Sequence, residues 1–357
     1  MASRIRFRDL AVDDPALRDR LLAAVASVLD SGQLLMGPEV ARLEQRLAQY
    51  CGRSHCVGVS SGTDALYLAI RALEIGPGDE VICPAMSWVA TANAIAMTGA
   101  TPVFVDVGHD QNIAPALIEP AVTARTKAVL PVHFTGRLAD MPAITAVARR
   151  HGLKIIEDAA QAFGAKDGDT VAGGFGDVAA FSLNPMKVLA GYGESGAVLT
   201  DDAAVRDTLL ALRYLGTVDK ERCEHIALNA KMDEIQAALL QVSLDTLEPL
   251  FAVRREMAAY YSEQLSGVVG CPPAPDERTV VFDYQIVAED RAALISHLAE
   301  AGIETRVKHP ILMPDQPVYR HLPTGPLPMA RHLVSRILSL PLHEKLDRGI
   351  RLNSSRG

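Results

Sequence analysis

Lys187 is the first residue with a clear chemical use, and it stands between two short apolar runs, Val178–Phe181 and Ala197–Thr200. Such runs are typical of buried strands, so Lys187 is predicted to lie on the turn that joins them. A lysine whose amine is partly unprotonated forms a Schiff base with an aldehyde. The alternative is an ordinary solvated lysine, because long charged side chains are mostly exposed.

Asp158 is the second candidate, because its carboxylate ends the apolar run that starts at Leu153. A buried carboxylate is costly unless a cation or a strong donor pairs with it. A protonated pyridine nitrogen would be such a partner, and its protonation makes the ring an electron sink. The alternative is an aspartate that caps the following turn.

Two further features suit a flat, anionic ligand. The segment Ser60–Asp64 joins a predicted strand to a predicted helix, and the free N–H groups at a helix N-terminus favour a phosphate. Helix capping by Ser, Thr or Asp explains the same residues without any ligand. Trp88, the only tryptophan, is suited to stack on an aromatic ring or to fill the core.

The elements that must position these residues follow an α/β pattern. From Glu80 onward, short apolar strands alternate with helices, which is typical of a mostly parallel sheet covered on both faces. Ligands in such sheets bind beyond the carboxyl ends of the strands. This rule brings together Thr63, Trp88, His133, Asp158 and the Lys187 turn.

Further along the chain, a helix is predicted around Ala114–Val122 and a strand at Thr279–Val287. We expect an arm over residues 1–15, a large domain over residues 16–247 and a smaller C-terminal domain over residues 248–357.

Composition and charge argue against several classes of protein. The formal net charge of −8 over 357 residues argues against a general nucleic-acid binder. The five cysteines are scattered and lack zinc-site spacing, so no metal site is expected and the thiols are interpreted as reduced. Neither a signal peptide nor a membrane-spanning run is recognisable. We therefore expect a cytoplasmic protein without a membrane partner.

Several motifs occur in an order and spacing that resemble one family. They are Ser60–Leu66, Gly78–Val81, Ser87–Thr91, Gly99–Asp106, Glu157–Gln161, Phe181–Ser182 with Lys187 and Gly193–Glu194, and Asn229–Leu239. Together they resemble the DegT/DnrJ/EryC1/StrS sugar aminotransferases, over about Ser31 to Leu342. The resemblance implies fold type I of the pyridoxal 5'-phosphate (PLP) enzymes, the aspartate aminotransferase-like fold. In that fold a large domain with a mostly parallel seven-stranded sheet is followed by a smaller α+β domain.

The resemblance also implies roles for individual residues. Lys187 would hold PLP covalently and later move a proton between substrate and cofactor. Asp158 would pair with the pyridine nitrogen, Gln161 would bond the phenolic oxygen, and Trp88 would stack on the ring. The phosphate would be held by Gly62, Thr63, the Asp64 backbone and Ser182, and by Asn229 of a neighbouring subunit, which implies a homodimer with shared sites.

Candidate substrate contacts are less specific. The segment Ile303–Pro310 presents Arg306, Lys308 and His309, cations suited to a carboxylate or a phosphate. Each is equally explained as a solvated strand edge. Tyr192, Glu194 and His133 are candidates of the same kind.

The chain departs from the family pattern in three places. Leu228 replaces a usual aromatic residue, Lys231 replaces a common arginine, and the tail from Asp347 onward is short. The first two changes concern substrate contacts rather than the chemistry.

The expected function is a PLP-dependent aminotransferase that moves an amino group from glutamate or glutamine to a keto sugar. By the resemblance, the acceptor is a nucleotide-linked 3- or 4-keto-6-deoxy sugar. The alternative acceptor is a keto cyclitol of the aminoglycoside pathways. A PLP-binding regulatory protein without turnover is the alternative from another class, although no basic stripe or helix-turn-helix supports it.

Overall fold

The computed structural model describes residues 5–219 and 221–346. The helices are α1 (Pro15–Ser31), α2 (Pro38–Tyr50), α3 (Gly62–Ala72), α4 (Ala90–Met97), α5 (Met141–His151), α6 (Ala203–Arg213), α7 (Glu234–Asp245), α8 (Leu247–Leu265), α9 (Arg291–Glu300) and α10 (Pro328–Arg336). The strands are β1 (His55–Val59), β2 (Glu80–Pro84), β3 (Thr101–Val105), β4 (Thr126–Val129), β5 (Lys154–Asp158), β6 (Lys166–Asp167), β7 (Thr170–Val171), β8 (Val178–Ser182), β9 (Gly196–Thr200), β10 (Thr217–Val218), β11 (Arg222–Cys223), β12 (Tyr284–Val287) and β13 (Ile337–Leu340).

A seven-stranded sheet forms the centre of the fold, in the order β1-β9-β8-β5-β4-β2-β3. Strand β9 is antiparallel to both of its neighbours, and the other neighbouring pairs are parallel. Six strands therefore end at the same edge of the sheet. The predicted α/β fold with a mostly parallel seven-stranded sheet is confirmed.

Burial on both faces explains why these strands read as continuous apolar runs rather than alternating ones. Every residue of β2 and β9 is buried. Helix α3 packs against β8 and β9, and its residues from Ala65 to Ile70 are all buried. The position of α3 matters for function, because its N-terminus meets the end of β8.

The C-terminal part has an apolar core of its own. Strands β12 and β13 pair antiparallel, and Tyr284, Ile286, Leu338 and Leu340 pack with Met257 of α8. The predicted boundary between residues 247 and 248 lies in the first turn of α8. The division into two domains stays a prediction.

Two predicted elements differ in the structure. The segment 114–122 forms two short 3-10 turns, Pro115–Leu117 and Glu119–Ala121, because Pro120 lacks the N–H that the interior of an α-helix needs. The strand predicted at Thr279–Val287 begins only at Tyr284.

No helix among the described residues has the length and apolarity needed to cross a bilayer. The predicted short tail from Asp347 lies outside the described residues.

Candidate active site

A cavity of about 620 Å³ lies at the edge where the parallel strands end. Its lining includes Thr63, Trp88, Asp158 and Lys187, which the sequence predicted to converge. A hollow of similar size, about 630 Å³, lies elsewhere and is lined by residues such as Glu44 and Arg206. None of the predicted site residues borders that second hollow, so the chemistry belongs to the first cavity.

The N-terminus of α3 provides an anion site. Ser61 is the N-cap residue, and its hydroxyl accepts from the Asp64 N–H at 3.1 Å. The N–H groups of Gly62 and Thr63 have no acceptor among the described residues, and both residues line the cavity. A Cβ on Gly62 would lie only 2.4 Å from the Ser182 Cβ. Glycine therefore lets the helix end close against Ser182, whose side chain also lines the cavity.

The structure corrects the role predicted for Asp64. Its N–H is already bonded to the N-cap Ser61, and its carboxylate accepts from the Ser60 and Ser61 hydroxyls at 2.6 and 2.7 Å. Asp64 is absent from the cavity lining. It stabilises the turn rather than presenting its N–H to a ligand.

Asp158 ends β5 with its carboxylate in the cavity wall, and only 4% of the residue is exposed. Its Oδ2 accepts from the Thr91 hydroxyl at 2.9 Å, and the Thr91 hydroxyl lies 3.0 Å from that of Ser87. Burial raises the pKa of Asp158, while the Thr91 hydrogen bond and the positive charge of Lys187 oppose the rise. A cation in the cavity would compensate this buried carboxylate.

His133 lies behind the cavity wall, so its predicted contact with substrate is wrong. The imidazole is fully buried: its Nε2 lies 3.1 Å from Glu157 Oε2, and its Nδ1 accepts from the Ala139 N–H. Glu157 also accepts N–H bonds from the 173–176 loop. Burial raises the pKa of Glu157, but the His133 and backbone hydrogen bonds outweigh it and hold the pKa below its ordinary value.

Lys187 has the properties of a reactive amine. It follows β8 in a turn closed by its own N–H, which donates to Asn184 O at 2.9 Å. Burial lowers the pKa of Lys187 to about 8, although the Asp158 carboxylate favours the charged form. Roughly one amine in ten is therefore unprotonated at pH 7.

Trp88 and Gln161 supply the contacts expected for a flat ring. Trp88 lines the cavity and is 60% exposed, which argues against the core-filling alternative. Gln161 Oε1 accepts from the Thr135 N–H at 2.9 Å. Because the oxygen is used in this way, the amide nitrogen is left to donate into the cavity.

The predicted substrate residues divide into two groups. Glu194, Lys308 and His309 line the cavity, and burial, followed by the charge of Lys308, lowers the pKa of His309 to about 4. Tyr192 lines an adjoining hollow of about 170 Å³, and the exposed Arg306 borders neither space.

Asn229 lies outside the cavity of its own chain. It is exposed, and its Oδ1 accepts from Lys231 Nζ at 2.7 Å. The part in cofactor binding that the resemblance implies thus requires a second subunit.

Sequence reasoning missed Arg8 and Thr91, which both line the cavity. The spacing of Ser87 and Thr91, one helical turn apart, was an available signal for the hydroxyl pair beside Asp158. Arg8 belongs to the polar arm, where no periodicity or motif points to it.

Taken together, the cavity offers one binding feature for each part of PLP. Free N–H groups and a hydroxyl suit a phosphate, a buried carboxylate suits a protonated ring nitrogen, and an exposed indole suits a ring face. A desolvated amine suits an aldehyde. The residues present fit this cofactor.

A family model described as the DegT/DnrJ/EryC1/StrS aminotransferase family matches residues 15–350. The chain belongs to this family. It is 43% identical over 351 residues to the dTDP-3-amino-3,4,6-trideoxy-alpha-D-glucose transaminase of Streptomyces venezuelae. The matched segment covers 97% of this chain and 93% of that protein.

Two further family comparisons agree. The chain is 41% identical over 342 residues to the UDP-N-acetyl-3-dehydro-alpha-D-glucosamine 3-aminotransferase of Acidithiobacillus ferrooxidans, covering 95% of this chain and 92% of that protein. The crystal structure of NtdA from Bacillus subtilis, with bound cofactor PMP, superposes with a TM-score of 0.90 at 32% identity, covering 96% of this chain and 81% of that one.

Proposed function

We propose that this DegT/DnrJ/EryC1/StrS family member is a PLP-dependent aminotransferase that transfers an amino group from glutamate or glutamine to a nucleotide-linked keto sugar. The observation that carries the proposal is the meeting of a desolvated Lys187 and a buried Asp158 in one cavity with a helix N-terminus. Bound PLP supplies an electron sink and a temporary carrier for the amino group. The protein must hold it, orient the substrate and move protons.

Lys187 performs the covalent and proton-transfer work. Its Nζ would hold the cofactor through its aldehyde group, which requires the unprotonated amine that burial favours. When free, Nζ would take the proton from the donor's α-carbon and would return a proton to the acceptor carbon. A pKa of about 8 suits both roles, because the group accepts and releases protons near neutral pH.

The remaining residues fix the geometry. Asp158 would keep the ring nitrogen protonated, and the Ser87–Thr91 hydroxyl pair holds the carboxylate in place. Gly62, Thr63, Ser182, Trp88 and Gln161 all line the cavity. The first three would bind the phosphate, Trp88 would stack on the ring, and Gln161 would donate to the phenolic oxygen.

The amino acceptor is a sugar ketone, and we infer that carbon 3 is the position aminated. This inference is supported by two relatives above 40% identity whose names specify amination at carbon 3 of a dTDP- or UDP-linked sugar. A 4-keto sugar and a keto cyclitol are the competing acceptors.

The assembly we infer is a homodimer with two shared sites. Asn229 is exposed and is not among the residues that line the cavity of its own chain, which is the arrangement expected if it completes the phosphate site of the partner subunit. We further infer a cytoplasmic enzyme, because all five cysteines are free thiols, as is usual in a reducing compartment.

The acceptor assignment is tested by incubating the PLP-loaded enzyme with L-glutamate and three ketones in parallel. These are a dTDP-3-keto-6-deoxy sugar, the 4-keto isomer and a keto cyclitol, and each product is followed by mass spectrometry. The proposal predicts that the 3-keto sugar gives most of the amine. Amination of the cyclitol alone contradicts the nucleotide-sugar assignment, and amination of the 4-keto isomer alone contradicts carbon 3.

A further inference from the structure

The arm at the start of the chain is fixed against the C-terminal part. Ile5 donates its N–H to Gly302 O at 2.9 Å and accepts from the Glu304 N–H at 3.0 Å. Phe7 is buried, and Lys345 Nζ donates to Ala11 O at 2.7 Å. The residue between these anchors, Arg8, is therefore held in one place.

That place is the wall of the active-site cavity. Arg8 Nη1 donates to Met186 O at 2.9 Å, and Nη2 donates to Phe282 O at 3.2 Å. The guanidinium carbon lies 4.9 Å from the centroid of the Phe282 ring. Arg8 and Lys187 both line the cavity, and the positive charge of Arg8 helps to lower the pKa of Lys187, so the guanidinium lies near the reactive amine.

The charge of Arg8 has no carboxylate partner at salt-bridge distance among the described residues. Lys308 lies against the same Phe282 ring, with its Nζ 4.7 Å from the centroid, and it is paired with Asp283 at 3.1 Å. Lys187 Nζ lies 5.0 Å from that centroid. Three cations thus surround one ring. Asp283 pairs with Lys308, Asp158 acts on Lys187, and Arg8 is influenced by Asp283 and Glu344 only from beyond salt-bridge distance. A half-buried guanidinium in such surroundings favours an anion from the ligand.

The position of Arg8 indicates which anion it binds. The PLP phosphate is expected at Gly62, Thr63 and Ser182. The diphosphate of a nucleotide sugar is attached at carbon 1, so the sugar ring separates it from a ketone at carbon 3. The α-carboxylate of an amino acid is bonded directly to the carbon whose proton Lys187 removes. A carboxylate beside Lys187 is therefore the anion that best matches this geometry.

We propose that Arg8 binds the α-carboxylate of the amino-acid donor and orients the donor beside Lys187. The inference rests on the proposed function. After the two bonds to carbonyl groups, each terminal nitrogen of Arg8 retains one N–H, and these can bind a carboxylate. The 6-deoxy keto sugars named as acceptors carry no carboxylate, so Arg8 serves the donor half of the reaction.

The binding test uses glutarate, a dicarboxylate that lacks an amine and cannot react. Isothermal titration calorimetry with the PLP-loaded enzyme compares wild type, Arg8→Gln and Arg6→Gln. Arg6 is the matched control, since it lies in the same arm with a side chain that is 65% exposed. We expect the Kd for glutarate to rise roughly 10- to 100-fold in Arg8→Gln, to change less than about two-fold in Arg6→Gln, and the Kd for dTDP to stay constant in both.

The kinetic test follows cofactor absorbance in the donor half reaction. Arg8→Gln should raise the KM for glutamate and glutamine by similar factors, because both carry the same α-carboxylate, and Arg8→Lys should recover part of the loss. Melting temperatures identify variants that lose the fold. If Arg8→Gln unfolds, Arg8→Lys replaces it, with a smaller expected rise in Kd.

Three results overturn the inference: no glutarate binding to wild type, an equal Kd in wild type and Arg8→Gln, or a weakened affinity for dTDP instead of glutarate. An effect on glutamate alone also overturns it, because it would assign Arg8 to the γ-carboxylate. Failure of the proposed function gives a different result, since wild type would then transfer no amine from any donor while glutarate binding still depends on Arg8.

Discussion

Replacing a carboxylate by its amide should affect catalysis at Asp158 but stability at Glu157, although the two residues are adjacent on β5. Neighbouring strand residues point to opposite faces of a sheet. Asp158 lines the cavity, whereas Glu157 is completely buried behind it and accepts from backbone N–H groups. We expect Asp158→Asn to impair catalysis in a stable protein, and Glu157→Gln to impair stability.

The magnitudes follow from the contacts. Glu157 accepts from the N–H groups of Gly173, Phe175 and Gly176 at 2.8, 2.6 and 2.6 Å, and it bonds His133. Each carboxylate oxygen has two of these partners, so a glutamine amide would leave two donors without an acceptor. At about 1–3 kcal/mol each, the free energy of unfolding should fall by about 2–6 kcal/mol.

Asp158→Asn keeps the shape of the side chain and an oxygen that can accept from Thr91. It removes the charge that pairs with a protonated ring nitrogen, and breaking a buried ion pair costs about 3–5 kcal/mol. The rate of the donor half reaction should therefore fall by roughly a hundred- to several thousand-fold.

Stopped-flow absorbance gives the rate of the half reaction, and thermal unfolding gives the stability of both variants. A rate for Asp158→Asn within about five-fold of wild type would refute the assignment of Asp158 to the ring nitrogen. Equal stability of Glu157→Gln and wild type would refute the structural role of its neighbour.

Three further predictions concern the same cavity. Gly62→Ala should weaken PLP affinity by roughly ten-fold or more, because the added Cβ would lie 2.4 Å from the Ser182 Cβ. The control variant Gly325→Ala, whose added Cβ meets nothing within 4 Å, should bind PLP normally. Equal dissociation constants for the two variants in a fluorescence titration would contradict this prediction. The rate of covalent PLP capture should rise between pH 7 and pH 9 and then level off, because deprotonation of Lys187 with a pKa of about 8 produces the reactive amine; a flat pH profile is the opposing result. Refolding an equal mixture of inactive Lys187→Ala and Asn229→Asp chains should restore about a quarter of the sites if each site is shared across a two-fold axis, and no recovery of activity would argue that the sites are not shared.

The layout of the cavity was predictable because strand ends are readable from apolar runs. In parallel sheets these ends share one edge, so the sequence alone predicted that Asp158, Trp88 and the Lys187 turn lie close together, as they do in the cavity lining. Periodicity also located α3 and its glycine turn. These features depend on local sequence and on one topological rule.

The predictions that failed, and the residue that was missed, depended on side-chain direction and on competing or long-range contacts. His133 lies near the predicted edge, but it turns inward to Glu157, and strand position alone does not give that direction. Asp64 occupies the right turn, yet its N–H is used by Ser61. Arg8 reaches the cavity from the far end of the chain through pairing of Ile5 with Ile303, a long-range contact that no local pattern encodes.

We propose that Lys187 acts as the amine and proton carrier of a PLP aminotransferase. The most direct test records the visible spectrum of the purified PLP-loaded protein before and after adding L-glutamate or L-glutamine, without any acceptor. We predict that the absorbance of the lysine-bound cofactor disappears with at least one donor as 2-oxo acid forms in equal amount, and that Lys187→Ala lacks the original band. A wild-type spectrum that neither donor changes, or a Lys187→Ala variant that forms the same band, would contradict this role of Lys187.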